Sequence, residues 1–190
     1  MVSAATDVLA HAEPRRLSRA EYDRLAEQGF FRGERVELIE GILVQMSPID
    51  PIHADPVDML GELFVKALSA RARIRIQQPF IAGPNSEPEP DVALVPSGRY
   101  GSSHPDRAFL IVEVADSSLA HDRETKARLY AAALVPEYWV VDVRARAVHV
   151  FDEIVADRYG RVRAFDEAAV LSPSAFPDVS LRVAELFSAP

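Results

Sequence analysis

Phe109-Leu110-Ile111-Val112-Glu113-Val114-Ala115 is an apolar run broken by one carboxylate. A short run of this kind, rich in β-branched residues, reads as a strand buried on both faces. Downstream, His121 to Leu134 carries charges on one side and Ala127, Leu129, Tyr130 and Ala133 on the other, and Pro136 just beyond is a helix stop. Glu137 to Val143 is again strand-like. A strand, a helix and a strand within about 35 residues predict a right-handed crossover, with Phe109–Ala115 and Tyr138–Val143 as parallel neighbours.

Working outward, Ile74 to Ile81 and Pro90 to Val95 read as two further strands, set apart by the turn-rich segments Gly83–Pro88 and Pro96–Pro105. Before them, Asp55 resembles an N-cap with Pro56 at the first helical position, and Met59, Leu60, Leu63, Phe64, Ala67 and Leu68 recur at helical spacing. Arg35 to Met46 alternates and turns at Glu40-Gly41, which predicts a β-hairpin ended by Ser47-Pro48 and Asp50-Pro51. Ser18 with Glu21 fits a capping box that opens a short leading helix ending at Gly29. Beyond the crossover, Val148–Phe151, Arg161–Phe165 and Ala169–Leu171 read as short meander strands and Val183–Phe187 as a helical turn. The order α-β-β-β-α-β predicts an α/β fold: a mixed four-stranded central sheet flanked by helices, with an N-terminal hairpin and C-terminal meander strands. Residues 1–16 read as a flexible arm and residues 17–187 as one domain.

The chain has 190 residues, so a single core is expected. With no cysteine, disulfide scaffolds, thiol nucleophiles and cysteine-ligated metals are excluded, and any metal site falls to oxygen donors and five histidines. No run approaches the roughly 18 apolar residues of a membrane span, and Met1 to Pro14 lack a signal-like pattern, so a soluble, cytoplasmic protein without a membrane partner is expected. Gly83–Ser86 and Gly98–Ser103 lack the spacing of a phosphate-cradling loop, so no nucleotide cofactor is expected. No Gly-x-Ser-x-Gly elbow is present either. The formal charge of −8 argues against a protein that coats nucleic acid by phosphate neutralisation alone.

Glu113 inside an apolar strand needs compensation, because an unpaired buried carboxylate is costly. It either points to solvent at the strand end, pairs with an arginine, or binds a metal. Asp91, which opens the strand Val92–Val95, is either a turn aspartate or a second acid on the same sheet. Two carboxylates on adjacent strands suit a hard divalent cation, which takes oxygen ligands and one or two protein carboxylates. Lys126 on the following helix could reach the same site or pair with Asp122 on the surface. Glu37 faces either a cleft or water on the hairpin, and His53 is either a cleft group or a local partner of Asp50 and Asp55. Arg71, Arg73 and Arg75 alternate in a same-side row that could hold a nucleic-acid backbone or protect a sheet edge. Tyr138 and Trp139 read as core.

The order Pro90-Asp91, Glu113 in a strand and then a lysine resembles the PD-(D/E)XK nuclease superfamily. More closely, the chain resembles the Uma2 family of restriction-endonuclease-like proteins over roughly residues 17 to 187. The resemblance lies in Val36-Glu37-Leu38-Ile39-Glu40-Gly41 with Met46-Ser47-Pro48, in His53, in Glu89-Pro90-Asp91-Val92-Ala93-Leu94-Val95, in Ile111 to Ser118, and in Asp122 to Asp142 with Lys126 and Val135-Pro136-Glu137-Tyr138-Trp139. It implies a Mg²⁺- or Mn²⁺-dependent endonuclease acting on DNA, in which Asp91 and Glu113 hold the metal, Lys126 assists, and Glu37 and His53 match family positions. The superfamily pattern puts a lysine two residues after the strand acid, where this chain has Ala115, so Lys126 stands in from the helix. A homodimer is expected, the hairpin offering an added surface. The alternative is a catalytically inactive nuclease-fold dimer that binds or scaffolds.

Overall fold

In the computed structural model, which describes residues 13–68 and 70–187, strand β5 (Leu110–Ala115) is buried along its whole length. Ahead of it come α1 (Arg19–Glu27), the hairpin β1 (Val36–Ile39) and β2 (Ile42–Gln45), α2 (Pro51–Leu68), β3 (Ala72–Ile76) and β4 (Val92–Pro96). The helical segment after β5 has three parts: α3 (Leu119–His121), a π turn (Asp122–Lys126) and α4 (Ala127–Ala132). It leads to β6 (Tyr138–Asp142), β7 (Ala147–Val155), β8 (Arg158–Phe165), β9 (Val170–Leu171), β10 (Leu181–Arg182) and a 3₁₀ turn (Val183–Phe187). The sheet order is β3-β4-β5-β6-β7-β8, with β5 and β6 parallel as the crossover spacing predicted and every other pair antiparallel.

Alternation along β5 divides the interior. Leu110, Val112 and Val114 meet Val57, Leu60, Phe64 and Leu68 of α2, together with Trp139, Val141 and the C-terminal Phe176 and Leu186. Ile111 and Ala115 face the other way, toward Ala127, Leu129 and Tyr130 of α4 and toward Tyr138, Val140 and Phe151. Period-two geometry therefore sends Glu113 to the α4 side. Trp139 is fully buried, and its indole N–H donates to Glu137 Oε1 at 2.7 Å. Glu137 Oε2 accepts from the Ser174 N–H at 2.6 Å, tying the C-terminal loop beneath the sheet.

Several expectations need correction. The central sheet has six strands, because β7 and β8 continue it from β6 instead of forming a separate meander. Only β9 and β10 stand apart, as a small ribbon. Helix α2 starts at Pro51, four residues before the expected cap. The Asp-Pro signal occurs twice: Asp50 accepts the His53 N–H on its side chain and the Ala54 N–H on its carbonyl, both at 2.9 Å. Pro56 is then accommodated in the second turn, where it forgoes one backbone bond. Strand β3 ends at Ile76, not Ile81, since Gln77 turns out of the sheet with φ 48°. The capping box at Ser18 and Glu21 and the hairpin turning at Glu40-Gly41 form as expected. Of the arm expected at residues 1–16, residues 1–12 lie outside the described residues; Arg16 reaches back to the Glu40 carbonyl at 2.6 Å.

Candidate active site

The antiparallel register that pairs Val92 with Val112 places Asp91 opposite Glu113 at the end of β4. The Asp91 N–H donates to Glu113 Oε2 at 3.4 Å, and the Val114 N–H donates to Asp91 Oδ2 at 2.8 Å. Lys126 reaches them from the π turn: its Nζ lies 3.1 Å from Glu113 Oε1 and 3.5 Å from Glu37 Oε1. His53, in the first turn of α2, puts Nε2 3.0 Å from Asp91 Oδ2. Glu37 on β1 faces inward and accepts the Glu89 N–H at 3.2 Å. All five candidate residues thus line one cleft of about 260 Å³. Lys126 is buried against Glu113, and Asp122, also buried, accepts instead from the Ser118 hydroxyl at 2.5 Å. The surface pair between Asp122 and Lys126 is not formed.

Three further residues belong to the cluster. Tyr130 donates its hydroxyl to Glu113 Oε1 at 2.7 Å, Gln77 donates to Asp91 Oδ1 at 3.2 Å, and Asp122 lines the cleft beside Lys126. Tyr130 follows Lys126 by one helical turn, so its shared face was a signal that the apolar stripe hid. Gln77 left no signal, because it reaches Asp91 only by adopting a left-handed backbone.

The electrostatics follow from crowding acids in a dry place. Burial, reinforced by Asp91, Asp122 and Glu37, holds the Glu113 carboxyl well above its ordinary range, against the opposing charge of Lys126. Burial also pushes Asp91 upward, but its bonds from His53, the Val114 N–H and Gln77 outweigh that and leave it lowered. Burial opposes the charge on Lys126, yet Glu113, Glu37, Asp122 and Asp91 more than offset it and raise its pKa. His53 is raised, first by its bond to Asp91.

Glu37, Asp91, Glu113 and Asp122 crowd around Lys126, and the high proton affinity that burial gives Glu113 marks where a divalent cation would take the place of a proton. Among the described residues no group of three or more acidic or histidine side chains forms a ready-made cage. That donor set fits a hard ion held by Asp91 and Glu113 with water completing its shell, as Mg²⁺ prefers. Two of the three arginines of the expected basic row are committed, while exposed Arg73 reaches only the Gly98 carbonyl at 3.5 Å. Arg71 forks onto Asp178 at 2.6 and 3.0 Å, and Arg75 is buried against Pro79 and His104. Arg73 and Arg75 lie on β3 at the edge of the sheet, where charge disfavours pairing with another strand.

No helix among the described residues is long and apolar enough to cross a membrane. The fold is similar to that of a solved structure from Anabaena variabilis ATCC 29413, described as "a putative nuclease belonging to DUF820". The two share 18% identity with a TM-score of 0.66, over 80% of this chain and 89% of that one. No curated protein matches the chain. The family model Uma2, described as "Putative restriction endonuclease", matches residues 19–184, a span that contains β1, α2 and the whole of the cleft just described. The chain therefore belongs to the Uma2 family.

Proposed function

We propose that the chain is a divalent-metal-dependent endonuclease that hydrolyses phosphodiester bonds of DNA in this cleft. The observation that carries the reading is the convergence of Asp91, Glu113 and Lys126, from two strands and a helix distant in sequence, on one buried and over-acidic point. Asp91 and Glu113 would hold Mg²⁺ or Mn²⁺, which when bound acidifies a water and offsets charge on the phosphate. Lys126, kept protonated by Glu113 and Glu37, presents a cation to the phosphate where negative charge develops. Tyr130 and Gln77 fix the Glu113 and Asp91 carboxylates. His53 holds Asp91 from the cleft side through Nε2, 3.0 Å from Asp91 Oδ2. The inactive-scaffold reading rests on the lysine missing at Ala115 and on the chain's acidity; Lys126 Nζ, 3.1 Å from Glu113, supports the active reading against the first of these grounds.

The test is incubation of purified protein with plasmid, linear and branched DNA in Mg²⁺ or Mn²⁺, alongside Asp91→Ala, Glu113→Ala and Lys126→Ala. Cleavage by wild type, lost in the first two variants and strongly reduced in the third, is expected. Cleavage that survives Glu113→Ala would sink the metal reading. The protein is further proposed to pair as a homodimer through the hairpin, where Ile42 and Leu43 are exposed. Sedimentation at only 21.0 kDa would contradict it.

A further inference from the structure

The helical segment that carries Lys126 has a second cleft on its other side, of about 350 Å³. Arg123 and Arg128 project into it from that segment, and Phe151, Arg158 and Tyr159 from the β7–β8 hairpin. Glu124 is the one carboxylate that lines it. Arg128 is held by Glu40 at 3.0 Å, but Arg123 and Arg158 have no carboxylate within 4.0 Å among the described residues. Other arginines of the sheet's outer strands are neutralised: Arg161 and Arg163 by Asp152, and Arg146 by Glu167. In a chain whose acids outnumber its bases by eight, two uncommitted guanidiniums lining one concave surface offer forks suited to a phosphate.

The remaining wall is aromatic and rigid. The Tyr159 hydroxyl donates to the Val135 carbonyl at 2.8 Å, and its ring lies 20° from that of Tyr138 at 6.2 Å. Tyr159 is brought beside Phe151, 6.0 Å away, where the hairpin bends: Glu153 takes a left-handed φ of 58° opposite Gly160, where a Cβ would come within 2.9 Å of the Glu153 carbonyl.

We propose that this cleft binds one nucleotide of an unpaired strand, its phosphate on Arg123 and Arg158 and its base against Tyr159. Base stacking on an aromatic wall beside cationic forks is the chemistry of single-strand binding. The π turn divides its side chains between the two clefts, Asp122 and Lys126 to one and Arg123 and Glu124 to the other. A helix with its side chains is roughly 10–12 Å thick, a few nucleotides of strand. The inference rests on the nuclease reading and says where the strand goes after the cut bond.

The test is fluorescence anisotropy with a short labelled single-stranded oligonucleotide in EDTA, over a salt series, for wild type, Arg123→Ala/Arg158→Ala and Tyr159→Leu. The double variant should bind roughly tenfold more weakly, with a log–log salt slope shallower by about 0.7 for the lost phosphate. Tyr159→Leu should weaken binding without changing the slope. Unaltered melting of the arginine variant shows that it is folded, both arginines being exposed. Binding by the double variant within about twofold of wild type, with the same slope, overturns the proposal. So does competition by inorganic phosphate as effective as that by the oligonucleotide. If wild type cuts DNA in metal and the double variant binds normally, only this inference fails; if wild type neither binds nor cuts, both fail.

Discussion

At the scale of single residues, the charges of the cleft set stability against use. Lys126 compensates two buried carboxylates, so Lys126→Met should cost on the order of 3 kcal/mol in denaturant unfolding, and Glu113→Gln in that background should restore much of it. Glu113→Gln alone should abolish cleavage and leave Lys126 with Glu37 as its remaining carboxylate partner. Tyr130→Phe removes one buried bond to Glu113, so a loss of about 1 kcal/mol is expected, with a fall in turnover that exceeds it because the carboxylate loses its orientation. Outside the cleft, burial pushes Glu87 up to about 7, beside Asp23 and only distantly paired with Arg19 at 3.8 Å. Its folded form holds a proton that the unfolded chain releases near 4.5, so wild-type stability should decline as pH rises from about 4.5 through 7. Glu87→Gln should flatten that decline and melt higher than wild type at pH 8, as thermal scans across pH would register. The residues with chemistry were legible one at a time: a glutamate in an apolar strand and an aspartate opening one are anomalies whatever surrounds them. Gln77 was not, because nothing local foretells a left-handed glutamine.

Among the elements, the sheet core was readable because periods of two and 3.6 change cleanly along the chain. The parallel pairing of β5 and β6 followed from spacing alone. Register was not readable, yet register decides that Asp91 meets Glu113. The start of α2 was misplaced because Asp50-Pro51 and Asp55-Pro56 carry the same local signal, and only packing of the first turn against the cleft selects the earlier. Asp50→Ala should therefore cost about 1 kcal/mol as a lost cap and also slacken His53, detectable as weakened cleavage at unchanged overall fold. The π turn was invisible to periodicity. Deleting Glu124 should let that turn relax toward an α-helix, leaving Tyr130 and Leu129 packed but rotating Asp122 and Ser118 out of the cleft. Loss of cleavage in a protein that still melts cooperatively is the expected result.

For the whole molecule, a formal charge of −8 and the proposed DNA substrate are reconciled by where the charge sits. On the proposed function, the carboxylates of the cleft would repel phosphate until a cation is bound, so strand binding in this cleft should be metal-dependent and should weaken steeply between low and physiological salt. The extension of the sheet from four strands to six had no strong signal, since β8 is largely exposed and polar and reads as a loose meander until β7 pairs with it. Yet those added strands supply the outer wall of the second cleft. The chain's single tryptophan, locked in the sheet between α2 and the C-terminal loop, makes the molecule its own optical probe. Emission from Trp139 should be blue-shifted and shielded from aqueous quenchers, and it should move to longer wavelength only when the central strands part. Every stability measurement proposed above can then be followed on one native chromophore, without a label near either cleft.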